Sequence, residues 1–454
     1  MSQGELVQRL REILGEEAVL EGREARERFS RDYAGFTRLP RVVVRPGRVE
    51  EVSGVVRLAN ELRVPVCAWG AGTSLTGAAV TEGILVDMSR FNRVLRIDDV
   101  NWYAHVEAGV VLDDLNKALA ERGFFFPPDP ASSFLCTVGG AIAEGSGGMR
   151  CVKYGTMKDW VLALKVVLPN GEVAILGEPL PKNRAGYDLV HLFVGSEGTL
   201  GIIVEAWLRI LPQPRAKVVR LYALFNDWPS AGHAILEIRR RGLLPRMLEF
   251  MDRPSLEALN AYGFNLEVAE AMLLLDVEEY AGGEASLFLD LLRREGAWKA
   301  EAVEGERAEQ LLLARASAYL ATAKASPSHI TEDVVVPIDR IVEYLEKAQE
   351  LQRKYGITIV LHGHAGDGNI HPTLLYDERT KQAAEAALEE LLEYAVRVGG
   401  SITGEHGIGL QKVPHLRRQL EAHGGLEGLR LMKAIKALFD PNGIMNPGKY
   451  VEAA

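Results

Sequence analysis

The chain has 454 residues, 47% of them hydrophobic and 25% charged, with a formal net charge of −10. That length implies two or three domains with substantial cores, and the acidic balance, without a basic run or basic-aromatic stripe, excludes a nucleic-acid binder. Three cysteines, Cys67, Cys136 and Cys151, without Cys-x-x-Cys spacing exclude a disulfide framework and a thiolate zinc site.

In chain order, the first thirty residues alternate charges with Leu6, Leu10, Ile13 and Leu14 at the spacing of an amphipathic helix, and they hold no apolar core of a signal peptide. No segment reaches the roughly 18 uninterrupted apolar residues of a membrane span, so a cytoplasmic protein is expected. From Pro40 the pattern predicts strand, helix and strand: 41-RVVVRP-46, then 49-VEEVSGVVRLANEL-62 with Val52, Val55, Val56 and Ala59 on one face, then 64-VPVCAWG-70. A strand at 83-GILVDM-88 and a helix at 110–123 follow. Next come a glycine-rich zone over 139–155 and a strand at 161–169 ending in the Asn170-Gly171 signature of a tight hairpin. After a strand at 202–211, the prolines of 212-PQP-214 mark a boundary. Beyond it, helices are expected at 256–271, 284–295, 304–324, 338–355, 380–398 and 425–440. They alternate with strands such as 219–225, 271–277, 333–337 and 357–363, which predicts an α+β layer with helices on one face of a sheet.

The run 68-AWGAGTSLTGA-78 follows a strand, and Gly70, Gly72 and Gly77 let a backbone approach a bulky anion while exposing N–H donors over 70–74. It is neither a Walker loop nor the Rossmann fingerprint. Three further stretches are built alike: 127-PPDPASSFLCTVGGAIAEGSGGMRCVKYG-155, 195-GSEGTLG-201 and 446-NPGK-449. Backbone packed against an extended ligand accounts for that glycine density, and a ligand touched by so many segments must be long, as a dinucleotide is. In 361-LHGHAGDGNIH-371, a strand running into a Gly-Asp-Gly turn brings His364 and His371 to one point. Two convergent imidazoles suggest a metal.

These motifs, together with 404-GEHGIG-409 and 440-DPNGIMNPGK-449, resemble the FAD-linked oxidases of the vanillyl-alcohol oxidase type, and within them the family of glycolate oxidase catalytic subunits and D-lactate and D-2-hydroxyglutarate dehydrogenases. The resemblance implies an α+β fold: a two-subdomain FAD-binding domain over 37–214 behind a helical segment over 1–36, an α+β cap on an antiparallel sheet over 215–410 carrying substrate and metal, and a C-terminal segment over 411–454 returning to the FAD domain. It implies that Gly70, Ala71, Gly72, Thr73, Ser74 and Gly77 hold the FAD pyrophosphate. Pro128, Asp129, Thr137, Gly140, Ser146, Gly148, Tyr154 and Gly155 would approach the flavin or its ribityl chain. Glu197, Gly198, Gly201 and Ile203 would hold the adenine end, with Asn446 contributing from the C-terminal segment. No histidine occurs in the first loop, so non-covalent FAD is expected.

The resemblance also places a divalent metal, with Glu405 joining His364 and His371 in an N₂O set that suits zinc, manganese or iron(II). His406 is then the base for the substrate hydroxyl and Arg315 the partner of the substrate carboxylate. Thr331 and Thr373 stand where 2-hydroxyglutarate enzymes carry lysine and asparagine, which favours a small monocarboxylate such as glycolate or D-lactate. The electron acceptor stays open between oxygen, a quinone and an iron–sulfur partner subunit, which would make the protein peripheral to a membrane; a homodimer is also open. Two other classes fit part of the pattern: a metalloenzyme without flavin using the two-His one-carboxylate set, and a non-catalytic FAD-binding subunit.

Overall fold

A computed structural model describes residues 2–326 and 328–451, and the chain divides into two units. One comprises Met1–Gly147, Thr156–Gln213 and Glu405–Ala454; the other comprises Gly148–Gly155 and Pro214–Gly404. Residues 148–155 therefore group with the second unit, and 405–410 with the first.

In the first unit the strand–helix–strand expectation holds over Val42–Val44, Val49–Leu62 and Val66–Trp69. Both strands run parallel to Ile84–Asp87, which lies between them, and Val19–Leu20 adds an antiparallel edge. The helix buries Val52, Val55, Val56 and Ala59, the face its periodicity marks. A second, antiparallel sheet orders Val94–Asp98, Tyr103–Glu107, Ile202–Arg209, Val161–Val167 and Val173–Gly177. Its last hairpin closes through a loop in which the Leu168 N–H bonds Glu172 O at 2.8 Å and Gly171 takes a φ of +81°. That is a three-residue turn with a left-handed glycine, the next commonest solution after the two-residue one. Val44 and Val86 of the first sheet share a core with Val167, Ile202 and Val204 of the second and with Ile444 and Met445. The chain end adds to the first sheet, because Val66 N–H bonds Ile444 O and Asn446 N–H bonds Val66 O.

Among the described residues, the second unit is built on eight antiparallel strands in the order Lys299–Val303, Lys217–Phe225, Ala271–Glu279, Met247–Asp252, Thr358–His364, Asn369–Tyr376 and Ser328–Thr331, with Val334–Val335 also paired to Asn369–Tyr376. Leu221, Ala223, Phe225, Leu248, Phe250, Leu273 and Leu275 face one layer of helices, Trp228–Arg240, Glu284–Arg294, Ile341–Tyr355 and Lys381–Arg397. Tyr222, Leu224, Met247, Met251, Met272 and Leu274 face another, Arg253–Tyr262, Gly305–Ala316 and Ala318–Lys324. The expectation of helices on one face is thus corrected to helices on both. The cause is visible in 271-AMLLL-275, an unbroken apolar run buried throughout, as a strand covered on both sides requires.

Two helix expectations also change. The helix expected at 256–271 spans Arg253–Tyr262, started by the Asp252 carboxylate on Ser255 N–H at 2.9 Å and stopped at Gly263 with φ +119°. The helix expected at 304–324 breaks at Ser317 into two, which lets Ala314 and Ala321 reach the same core. Among the described residues, no helix is long and apolar enough to cross a membrane.

Leu273 is fully buried on a strand with neighbours on both sides, so Leu273→Ala is expected to cost about 2–5 kcal/mol in denaturant unfolding. Leu313→Ala, at a position 60% exposed, changes stability by less than about 0.5 kcal/mol.

Candidate functional site

The glycine loop of the first unit leaves the strand Val66–Trp69 and is pinned from beneath. Asp32 accepts from Gly77 N–H at 2.9 Å, and Ser74 Oγ accepts from Ala78 N–H at 3.1 Å. A Cβ on Gly70 would lie 2.4 Å from Thr137 Oγ1, so glycine there lets the loop pack on the start of the helix Val138–Glu144, where Thr137 caps Gly140 N–H. Gly72 and Gly77 take φ of +68° and +84°. Among the described residues, no hydrogen bond takes up the N–H groups of Ala71, Gly72, Thr73 and Ser74. Consecutive unclaimed amides form an anion-binding concavity, and they fit a pyrophosphate.

Around this loop the first unit buries charge. Glu197 has a φ of +53°, and its carboxylate accepts from Ile408 N–H at 2.5 Å and Gly409 N–H at 2.8 Å. Burial pushes its carboxyl up to about 7 against those amide bonds, which favour the charged form. The Glu144 carboxyl is held well above the usual carboxylate range by burial and then by the neighbouring Glu197 and Asp32. Asn446 bonds both Ala78 O and Glu197 O with its Nδ2, at 2.8 and 2.7 Å, and so ties the C-terminal segment to two of the glycine loops. Lys449, its pKa lowered by burial, donates to Val80 O and Asn446 Oδ1.

The other expected cofactor residues fall in several settings. Pro128 and Ser146 are buried and Asp129 half-buried. Gly198 has φ +69° with open space where a Cβ would stand. A Cβ on Gly201 would lie 2.8 Å from Val167 O, and Ile203 is buried in the strand Ile202–Arg209. Gly148, Tyr154 and Gly155 belong to the second unit, where the Tyr154 hydroxyl donates to Glu278 Oε1 at 2.9 Å.

In the second unit, His364 and His371 do converge. Strands Thr358–His364 and Asn369–Tyr376 form a hairpin in which His362 pairs with His371 and His364 with Asn369. The imidazoles of His364 and His371 stand edge to face with centroids 5.2 Å apart. Each ring has a buried carboxylate at Nδ1: Glu249 at 3.0 Å from His364, and Asp333 at 3.4 Å from His371. Asp333 also accepts from Asn369 Nδ2 at 2.6 Å, Thr403 Oγ1 at 2.8 Å and Gly404 N–H at 2.7 Å. Arg315 is buried on its helix rather than solvated, with Nε 2.7 Å from Glu249 Oε2. Among the described residues neither its Nε, which meets Glu249 as an ion pair, nor its Nη2 makes a hydrogen bond. Thr331 and Thr373 are register partners whose hydroxyls lie 2.9 Å apart.

Glu405 is the residue after Gly404, and a Cβ at 404 would press within 2.6 Å of Asn369 Nδ2 and Val335. His406 has its carbonyl bonded by Thr76 Oγ1 at 3.2 Å in the first unit. Sequence reasoning missed Glu249 and Asp333. An acid inside an otherwise apolar strand, as in 247-MLEFMD-252, is the signal that could have found Glu249.

Residues 213–450 match a family model described as FAD linked oxidases, C-terminal domain, and residues 40–177 match one described as FAD binding domain. The chain is 40% identical over 428 residues to the glycolate oxidase subunit GlcD of Bacillus subtilis, covering 91% of this chain and 89% of that one. It is 38% identical over 416 residues to a D-lactate dehydrogenase of Archaeoglobus fulgidus, covering 90% and 91%. Among solved structures, p-cresol methylhydroxylase matches with a TM-score of 0.80 at 18% identity over 99% of this chain and 97% of that one. A 4-ethylphenol oxidase from Gulosibacter chungangensis matches with a TM-score of 0.75 at 20% identity, covering 98% and 96%. At such identities the likeness shows the fold, which is α+β of the vanillyl-alcohol oxidase type.

Glu249 is the sole carboxylate that Arg315 contacts among the described ion pairs. Glu249→Gln keeps the shape but strands a buried guanidinium, and about 3–5 kcal/mol of stability is expected to be lost in denaturant unfolding. Glu421→Gln, at the exposed Arg417–Glu421 pair, leaves the unfolding midpoint unchanged.

Proposed function

The chain belongs to the FAD-linked oxidases, and from that premise we propose that it oxidises a small 2-hydroxy acid, glycolate or D-lactate, to the 2-oxo acid with non-covalent FAD and a divalent metal. The carrying observation is the pair of carboxylate–imidazole contacts, Glu249 to His364 and Asp333 to His371. The Glu249 carboxylate, hydrogen-bonded at Nδ1, fixes the tautomer and orientation of the His364 ring and puts its basic lone pair on Nε2, the arrangement of a metal-ligating histidine, while Asp333 stands 3.4 Å from His371 Nδ1. Glu405 is assigned as the oxygen ligand. The preceding Gly404 N–H is anchored on the same Asp333.

The amides of Ala71 to Ser74 fit the FAD pyrophosphate, and FAD when bound supplies the two-electron acceptor for the substrate's Cα hydride. A divalent cation when bound supplies the Lewis acidity that lowers the pKa of the substrate hydroxyl. His406 is assigned to take the hydroxyl proton. Arg315 Nη2, buried without a hydrogen-bond partner among the described residues, is suited to donate to the substrate carboxylate, while Nε stays with Glu249. Thr331 and Thr373 satisfy each other and present no cation for a second carboxylate, which supports a short monocarboxylate. The relative from Bacillus subtilis is named as a subunit, which supports an electron-accepting partner, an iron–sulfur subunit or a quinone, with the chain held beside a membrane through it.

Anaerobic mixing of the purified yellow protein with a panel of small 2-hydroxy acids is expected to bleach the flavin with glycolate or D-lactate and not with 2-hydroxyglutarate. His371→Ala, or removal of the metal with a chelator, abolishes bleaching while the flavin spectrum stays. A His371→Ala protein that is reduced at the normal rate sinks the metal assignment.

A further inference from the structure

In the first unit the side chain of Glu197 is engaged by the GEHGIG segment. Both carboxylate oxygens are taken by the consecutive amides of Ile408 and Gly409. The segment is fitted tightly to this acid. A Cβ on Gly407 would lie 2.7 Å from Glu197 Oε1 and from Glu144 Oε2, and a Cβ on Gly409 would lie 2.2 Å from Thr76 O. Thr76 Oγ1 in turn bonds the carbonyl of His406, and Leu410 N–H bonds Thr76 O at 2.8 Å. Glu197 is itself held in a left-handed backbone conformation, unusual for a non-glycine residue, with its carbonyl on Asn446 Nδ2. A strained residue held from both sides, with its carboxylate on two neighbouring amides, is a built clamp.

We infer that Glu197 is a positioning residue: its bidentate grip on Ile408 and Gly409 N–H fixes the loop that carries Glu405 and His406. The inference rests on the functional reading above for the roles of those two residues. Glu144 lines the same segment without an amide bond to it and serves as its packing wall. Displacing catalytic groups by about 1 Å costs on the order of 10²-fold in rate. The clamp thus acts through the loop rather than on substrate or cofactor.

The test compares Glu197→Ala, which removes both acceptors, with Glu197→Gln, which keeps one, in the FAD-loaded protein. Hydrogen exchange of the peptide spanning residues 404–412 is expected to accelerate in Glu197→Ala and partly recover in Glu197→Gln. Flavin content and reduction by dithionite stay as in the parent. Flavin reduction by the best 2-hydroxy acid falls by about 10²-fold in Glu197→Ala, chiefly in the rate at saturation, and Co²⁺ titration shows weakened metal uptake. Unchanged exchange over 404–412, or a variant that loses FAD affinity but is reduced normally once loaded, overturns the inference and returns Glu197 to a cofactor contact. If no 2-hydroxy acid bleaches even the parent protein, the functional reading fails, and the exchange measurement still decides the clamp by itself.

Discussion

Two carboxylates with no exposure, Glu249 and Asp333, hold the second unit's chemistry in place. Burying a carboxylate costs several kcal/mol unless donors and cations compensate it, and the compensation fixes geometry as well as energy. Glu249 is answered by Arg315 and His364, which brings a helix and a hairpin strand to one strand in the middle of the sheet. Asp333 is answered by Asn369, His371, Thr403 and Gly404 N–H, so the other hairpin strand and the start of the GEHGIG segment share one anchor. Remove either acid and several groups lose the reason for their orientation together.

The sheet makes room for this polar set through its period of two. Ile359, Leu361, Ile370 and Leu374 point into one apolar core. On the alternate positions stand His362, His364, His371 and Thr373, and Glu249 sits between Met247 and Met251, which face the second core. One face is therefore apolar over its length, whereas the other changes from methionine and leucine to imidazole, carboxylate and hydroxyl as it crosses the hairpin. A histidine moved by one residue would enter the apolar core instead, so the register of the hairpin is also the register of the site.

Much of this was legible in the residues because local rules govern it. The helix Val49–Leu62 announced itself by its valine periodicity, and the convergence of His364 and His371 followed from a turn rich in glycine. Where the reading stopped, long-range pairing decides. That Ser317 breaks one helix into two, or that helices cover the sheet on both sides, depends on which faces meet in space. The polar strands Val94–Asp98 and Tyr103–Glu107 lacked an apolar alternation strong enough to mark them. Asp333 looked like the first residue of an apolar strand; only its distant donors at 369, 403 and 404 reveal it as the anchor.

Charge gives a last step. Beside the two imidazoles, the buried carboxylates Glu249 and Asp333 outnumber the one guanidinium that answers them, Arg315, a deficit of positive charge before any anion arrives. In a low-dielectric site an unanswered charge is expensive, so this arrangement suits a cation at the two imidazoles and an anionic substrate that enters with it. Each further carboxylate on the substrate would need a further cation, and the paired hydroxyls of Thr331 and Thr373 offer none. Under the proposed function, selection for a short monoanion would follow from the electrostatics of the sheet face.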